Sequence, residues 1–272
     1  MAAIEPMHQF MIHKVVSIAP VQIGGMALDL SITNSVLMML VAAMIITLIL
    51  SLSAKGAVVP GRMQSAGESL FDLIDGTLVT PIIGHAGKPY IPFIFTIFML
   101  VLTMNLMGVV LSFSHLWGGD WTFTPTAQLA VTATLAVLTF VAVIVIGFVK
   151  NGLGMYKLFV PSGMPIAMVI VMVPIEMISF FVRPLTLAMR LFGNMLGGHV
   201  VMNIFASFVV ALGAFAAAGG LATLGYLGSG LSLAMVVALT GLELVVAGLQ
   251  AFVFAALATV YLNEVVNLGH GH

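Results

Sequence analysis

Glu176, Arg183 and Arg190 recur at intervals of seven, and they are the only formal charges between Lys157 and Glu243. Seven steps of about 100° fall roughly 20° short of two helical turns, so the three side chains share one stripe of a helix. Asn194 follows one turn beyond Arg190, and His199 lies five residues further on. Near the end of the chain Glu243, Gln250 and Glu264 interrupt a second apolar stretch. One antiparallel register, turning near Gly220-Leu221, sets His199 level with Glu243, Arg190 with Gln250 and Glu176 with Glu264. Arg190 and His199 are nine residues apart and face opposite sides of a straight helix. Pairs that share a depth can therefore serve different compartments.

The chemistry open to this set is the movement of protons or ions. A guanidinium stays protonated at any physiological pH. At the centre of a membrane helix it costs at least ~2.5–3.5 kcal/mol on insertion scales, a burden that points to use of the fixed charge. His199 and Glu243 form either a proton relay or a polar staple between two helices. Arg183, which precedes Pro184, is either a snorkelling or ion-pair partner of Glu176 or part of a path. Gln250 and Asn194 can equally be interhelical hydrogen-bonding groups. Glu264, His115 and Asp120 complete the candidate polar residues. Gly193 and Gly197 form a GxxxG match, frequent by chance, that lets another helix approach closely. There is no Gly-x4-Gly-Lys phosphate loop, His-Glu-x2-His zinc pair or Gly-x-Ser-x-Gly elbow, so neither covalent chemistry, a cofactor nor a metal is expected.

Composition sets these residues in a bilayer. The 272 residues are 61% hydrophobic and 6% charged, with no cysteine. Soluble domains carry about 25% charged residues. A net charge of −1 offers no footprint for nucleic acid. Met1 to Lys14 lack a cleavable signal pattern, because Glu5, His8, Gln9 and His13 interrupt any apolar run, so the chain is expected to insert through its own first span.

The elements that must position the polar residues follow from hydropathy patterning. The whole chain, 1–272, reads as one membrane domain. Residues 30–54 are free of charge between Asp29 and Lys55 and long enough to cross ~30 Å of hydrocarbon. Residues 62–82 carry Glu68, Asp72 and Asp75 on one helical face and Leu70, Leu73, Ile74 and Leu78 on another, which predicts an amphipathic surface helix. Its acidic face is either solvated or set against a partner subunit. Spans are expected at 90–115 and 126–149, and two much longer helices at 165–212 and 230–263, with Gly213 to Gly230 as a loop with short helical turns. At 1.5 Å per residue the first long helix would run roughly 72 Å, so it must tilt strongly or split into two spans; strong tilt is the reading adopted. The fold expected is an all-α polytopic membrane protein of about five transmembrane helices plus one interfacial helix, the last two forming an antiparallel hairpin. Placing Lys55, Arg62, Lys88, Lys150 and Lys157 inside leaves Lys14 outside, so the N-terminus is expected outside and the C-terminus in the cytoplasm.

The stretch Arg183-Pro-Leu-Thr-Leu-Ala-Met-Arg190-Leu-Phe-Gly-Asn194-Met resembles subunit a of the rotary F-type ATP synthase. Leu249-Gln250-Ala-Phe252, Thr259-Val-Tyr-Leu262, Asn105-Leu-Met, Pro125-Thr-Ala and Pro174-Ile-Glu176-Met-Ile-Ser179 support it in the expected order. The resemblance implies a non-catalytic stator in a bacterial inner membrane, set against the ring of c subunits. Its further partners would be the b/b' peripheral-stalk subunits, the remaining F1F0 subunits and membrane lipid. It implies that Arg190 faces the ring carboxylate, that His199 and Glu243 line an outer half-channel, that Gln250 and Asn194 lie near the arginine, and that Glu176 belongs to an inner half-channel. Many bacterial relatives carry the acid first and the histidine second; here the order is reversed. Two alternatives remain: a stand-alone ion-coupled secondary transporter anchored on Arg190, although no inverted repeat is found, and a purely structural membrane subunit. Sodium in place of protons is a variant of the stator reading.

Overall fold

A computed structural model describes residues 14–16, 21–23, 26–28, 31–54, 59–112, 124–159, 166–217 and 224–268. His115 and Asp120 lie outside the described residues. The chain is an all-α polytopic membrane protein. Among the described residues, four short strands come first: β1 (Lys14–Val16) pairs antiparallel with β4 (Ile32–Thr33), and β2 (Val21–Ile23) with β3 (Met26–Leu28). Hydropathy patterning did not anticipate them, because two- and three-residue strands are too short to show a period of two.

Among the described residues, seven α-helices follow. They are α1 (Asn34–Ser53), α2 (Arg62–Ile74), α3 (Thr80–Ile83), α4 (Ile91–Ser112), α5 (Leu129–Asn151), α6 (Ile166–Ala216) and α7 (Gly225–Val266). Among the described residues, five stretches are long and apolar enough to cross a membrane: α1, Arg62–Leu111, α5, α6 and α7. Their outward Leu40, Met44 and Leu48 on α1 and Val137, Leu138 and Val141 on α5 are exposed. Such residues are at home against lipid tails, which are as apolar as they are.

The amphipathic segment forms α2, a π turn over Asp75–Val79, and α3. Two of its acids are tied locally: Gln64 Nε2 donates to Glu68 Oε1 (2.9 Å), and Thr80 Oγ1 donates to Asp75 Oδ1 (2.7 Å). The chain then reverses at Gly84, whose φ of 77° falls in the left-handed region that favours glycine.

The 51-residue α6 is one uninterrupted helix with Pro174 and Pro184 inside it. No break divides it. At 1.5 Å per residue its path is roughly 76 Å, which cannot stand upright in ~30 Å of hydrocarbon. The glycine-rich loop is also shorter than expected: α6 runs on to Ala216, and α7 begins at Gly225 instead of 230. Two forces override the ~1 kcal/mol helix penalty of each glycine. In a bilayer the backbone must satisfy its own hydrogen bonds, which only helix achieves here. The glycines also permit close packing, since a Cβ on Gly225 would lie 2.8 Å from the Leu212 carbonyl oxygen and one on Gly228 3.0 Å from Leu212 Cδ1. Ser229 Oγ donates to the Val209 carbonyl at 2.9 Å, closing the same turn.

Two compact units divide the chain. One comprises Met1–Ala42, Met104–Gln128 and Leu191–Leu249; the other comprises Ala43–Thr103, Leu129–Arg190 and Gln250–His272. In the first unit Val109, Ala127, Met195 and Ala247 form a buried cluster with Leu106 against it. In the second, Phe71 meets Phe95 edge-on at 5.7 Å, and Phe180 packs against Phe140 (4.8 Å) and Phe159 (5.4 Å). The last turns of α7 and α3 have carbonyls that no intrahelical donor reaches. Asn151 Nδ2 donates to the Val265 carbonyl (2.6 Å) and Asn267 Nδ2 to the Ile83 carbonyl (3.2 Å), which closes that end of the second unit.

Candidate functional site

The first unit holds a buried polar cluster built from three segments. His199 on α6 is 3% exposed and Glu243 on α7 is 6% exposed. His199 Nδ1 lies 3.4 Å from Glu243 Oε1, so the antiparallel register does bring these two side chains together. Gly198 makes room, since a Cβ there would sit 3.1 Å from that same oxygen. On its other side the ring meets Thr124: Oγ1 is 2.9 Å from His199 Nε2. Among the described residues neither Glu243 oxygen accepts a hydrogen bond.

The pattern of buried polar groups continues outward from this pair. Asn105 on α4 donates through Nδ2 to the Ala247 carbonyl at 3.2 Å, while its Oδ1 has no protein partner. Thr126 Oγ1 is likewise buried and unpaired, and Ser35 Oγ donates to Gln128 Oε1 at 2.6 Å. Buried polar atoms left without partners are costly and rare. Several in one unit mark a polar interior within a hydrophobic chain. Sequence reading singled out His199 and Glu243 but not Ser35, Thr124, Thr126 or Gln128. Each of those reads locally as a helix cap or turn residue, and only the packing turns it inward.

The second unit holds a charged cluster. Arg183 donates to the Glu264 carboxylate through Nη1 and stands 3.6 Å from Glu176 Oε1 through Nη2. The Phe180 and Tyr261 rings flank the guanidinium at 5.8 and 5.1 Å. Arg183 joins Glu176 and Glu264, the two residues that the register sets level. Two carboxylates facing each other in a medium of low dielectric would repel, and a guanidinium between them relieves that by offering forked donors to both. Gln250, also in this unit, is buried at 4% exposure.

Arg190 takes no part in these hydrogen bonds and ion pairs, although its charge acts on Tyr261, a ring that flanks Arg183. The Arg190 side chain is exposed in the middle of α6, and among the described residues no hydrogen bond or ion pair reaches it. Asn194, one turn on, is exposed too. A Cβ on Gly193 or Gly197, in the two turns that follow Arg190, would meet nothing within 4 Å, and the same is true of Gly241 and Gly248 on α7. These glycines are therefore not spent on packing within the chain.

Residues 35–263 match the family model described as ATP synthase A chain. The chain is 42% identical over 268 residues to "ATP synthase subunit a" of Rhodopseudomonas palustris (strain BisB18), covering 98% of this chain and 100% of that one. It is 45% identical over 266 residues to the protein of the same name from Nitrobacter hamburgensis, covering 98% and 99%. With the protein of that name from Mesorhizobium japonicum the identity is 44% over 268 residues, covering 98% of each chain. With an Arg-bearing, strongly apolar helical hairpin and a match that spans nearly its whole length, this chain belongs to the ATP synthase A chain family, the subunit a of the membrane sector.

Proposed function

We propose that the chain is the proton-conducting stator of a rotary ATP synthase, with no catalytic site of its own. It lies in a bacterial inner membrane with its N-terminus outside and its C-terminus cytoplasmic. It works against a c-subunit ring, held by the b/b' peripheral stalk and the rest of the F1F0 complex. Protons enter from outside by way of Glu243 and His199, with Asn194 and Gln250 on the approach to the arginine. They neutralise a carboxylate on the ring, and a neutral carboxyl can turn into lipid where a charged one could not. They leave on the inner side near Glu176, with Arg183 and Glu264 beside it. His115 and Asp120 are retained as possible path residues from the sequence.

The observation that carries the reading is Arg190. The charges on α6 and α7 otherwise have partners within the chain: Glu176 and Glu264 share Arg183, and Glu243 contacts His199. Arg190 alone among them has no ion pair among the described residues, and it is exposed. Intramembrane cations pair with other charges or backbone carbonyls or face a water-filled cavity, and the exposure of Arg190 favours a partner on another subunit. A carboxylate passing at about 4 Å would gain on the order of 4 kcal/mol at an effective dielectric of 20, which holds it ionised as it passes. The same charge repels a free proton, so current must go around with the ring. Each proton that crosses delivers ~2.3 kcal/mol per 100 mV.

The test is ATP-driven acidification of inverted membrane vesicles carrying the assembled complex, wild type against Arg190→Ala. Pumping is expected to vanish while the complex stays assembled, and passive proton leak is expected to rise. Unchanged pumping in the alanine variant eliminates this function.

A further inference from the structure

We propose that Thr124 is a positioning residue of the proton path: its hydroxyl holds the His199 ring at Nε2 so that Nδ1 stays turned toward Glu243. The proposal rests on the stator reading above and assigns a task to a residue that reading does not use.

Thr124 occupies the position before the 3-10 turn Pro125–Ala127, and its backbone is extended (φ −97°, ψ 112°). Its carbonyl accepts from Ala127 N–H at 3.1 Å, as an N-cap residue's should. A threonine in this place ordinarily turns its hydroxyl onto the N–H groups of the following turn. Here the side chain makes no such bond. It is 1% exposed and points instead at the imidazole, 2.9 Å away. Local preference has given way to a tertiary contact, which is where functional constraint is expected to appear.

The packing around Thr124 is shaped for that contact. Gly108 on α4 stands directly behind it: a Cβ there would lie 2.3 Å from Thr124 Cγ2 and 2.6 Å from Oγ1. Any larger residue would drive the hydroxyl from its place. Gly198 provides the matching clearance for Glu243 on the far side of the ring. The imidazole is thus held between a hydroxyl and a carboxyl, one on each nitrogen. Among the described residues Glu243 is the acid within ion-pair distance of it.

A hydroxyl suits the task because it both donates and accepts. When the neutral ring carries its proton on Nδ1, Thr124 O–H donates to the bare Nε2. When the ring takes a second proton, there at Nε2, the hydroxyl rotates and accepts. The ring can therefore gain and lose a proton without swinging away from Glu243, and Nε2 keeps its partner in both protonation states.

The experiment measures ATP-driven acidification by the assembled complex in inverted vesicles across a range of pH, with the amount of chain in the complex measured alongside. Thr124→Val keeps the shape and removes the hydroxyl; it is expected to slow pumping by about tenfold, the scale of loss when an orienting partner is removed, and to displace the pH profile. Thr124→Ser is expected to retain most of the rate and the wild-type profile. Gly108→Ala, which removes no polar group, is expected to reproduce the defect of Thr124→Val. The proposal is overturned if Thr124→Val pumps normally, if Thr124→Ser is as slow as Thr124→Val, or if the rate falls with an unmoved pH profile. Should Thr124→Val fail to assemble, Gly108→Ala decides alone by the same profile. Normal pumping in Arg190→Ala would sink the stator reading itself, whereas an inactive Arg190→Ala beside a normal Thr124→Val removes only the role of Thr124.

Discussion

Replacing Arg183 by Met keeps much of the side chain's length and apolar bulk while removing the cation that joins Glu176 and Glu264. At 3.6 Å, the Arg183–Glu176 pair alone is worth about 4–5 kcal/mol of gross attraction at an effective dielectric of 20. Desolvation and screening reduce that figure. The side chains of the cluster are 19% exposed for Arg183, 32% for Glu176 and 31% for Glu264, between a surface and a buried site. Exposed pairs contribute ~0.2–1 kcal/mol, and breaking a buried pair costs ~3–5 kcal/mol, so a net loss of about 2 kcal/mol is expected. The stacking on Phe180 and Tyr261 contributes within that figure. For a chain of this size such a loss lowers a thermal midpoint by about 4–8 °C. The midpoint is read as the temperature at which the chain is lost from the detergent-solubilised complex. Glu264→Gln alone is expected to cost less, because Arg183 retains Glu176. The double variant should fall short of the sum of the two by about 1 kcal/mol, since the second change removes one of the two carboxylates that the first left facing each other. Strict additivity would refute the claim that these three side chains act as one cluster.

Two further outcomes follow from the same geometry. His199→Ala and Glu243→Ala are each expected to reduce proton flux severely, whereas the exchanged pair, His199→Glu with Glu243→His, should retain part of it because the two positions are in contact; normal flux in either alanine variant would leave the pair a structural staple. The chain contains no cysteine, so single substitutions report side directly. Lys150→Cys is expected to react with an impermeant maleimide in inverted vesicles and Lys14→Cys only in right-side-out vesicles, and the reverse pattern would invert the proposed topology.

Much of the architecture was legible in the chain because a bilayer simplifies the code. Long charge-free stretches must become helix when no water can satisfy the backbone. That is why α1, α4, α5, α6 and α7 were foreseeable from hydropathy and length alone. The misjudged region was 213–230, where glycine content suggested a loop. Gly225 and Gly228 are instead helical residues that let α7 approach Leu212 on α6, a fact no local pattern contains.

The polar residues divide in the same way. Arg190 could be singled out from the sequence because a permanent charge in an apolar helix is expensive wherever it points, and His199 and Glu243 because a hairpin register brings them level. Whether a guanidinium is paired depends on direction and reach, and only the tertiary structure decided that Arg183 is joined to two acids while Arg190 is exposed, with no ion pair among the described residues. The role offered for Thr124 could come from nowhere else. Its hydroxyl had an equally good local use as a cap, and the choice between the two rests on a glycine in another helix, sixteen residues earlier, that leaves space for it. Charge and hydropathy are properties of each residue and can be read one by one. Contact between side chains from different helices is a property of packing, and it exists only once the chain has folded.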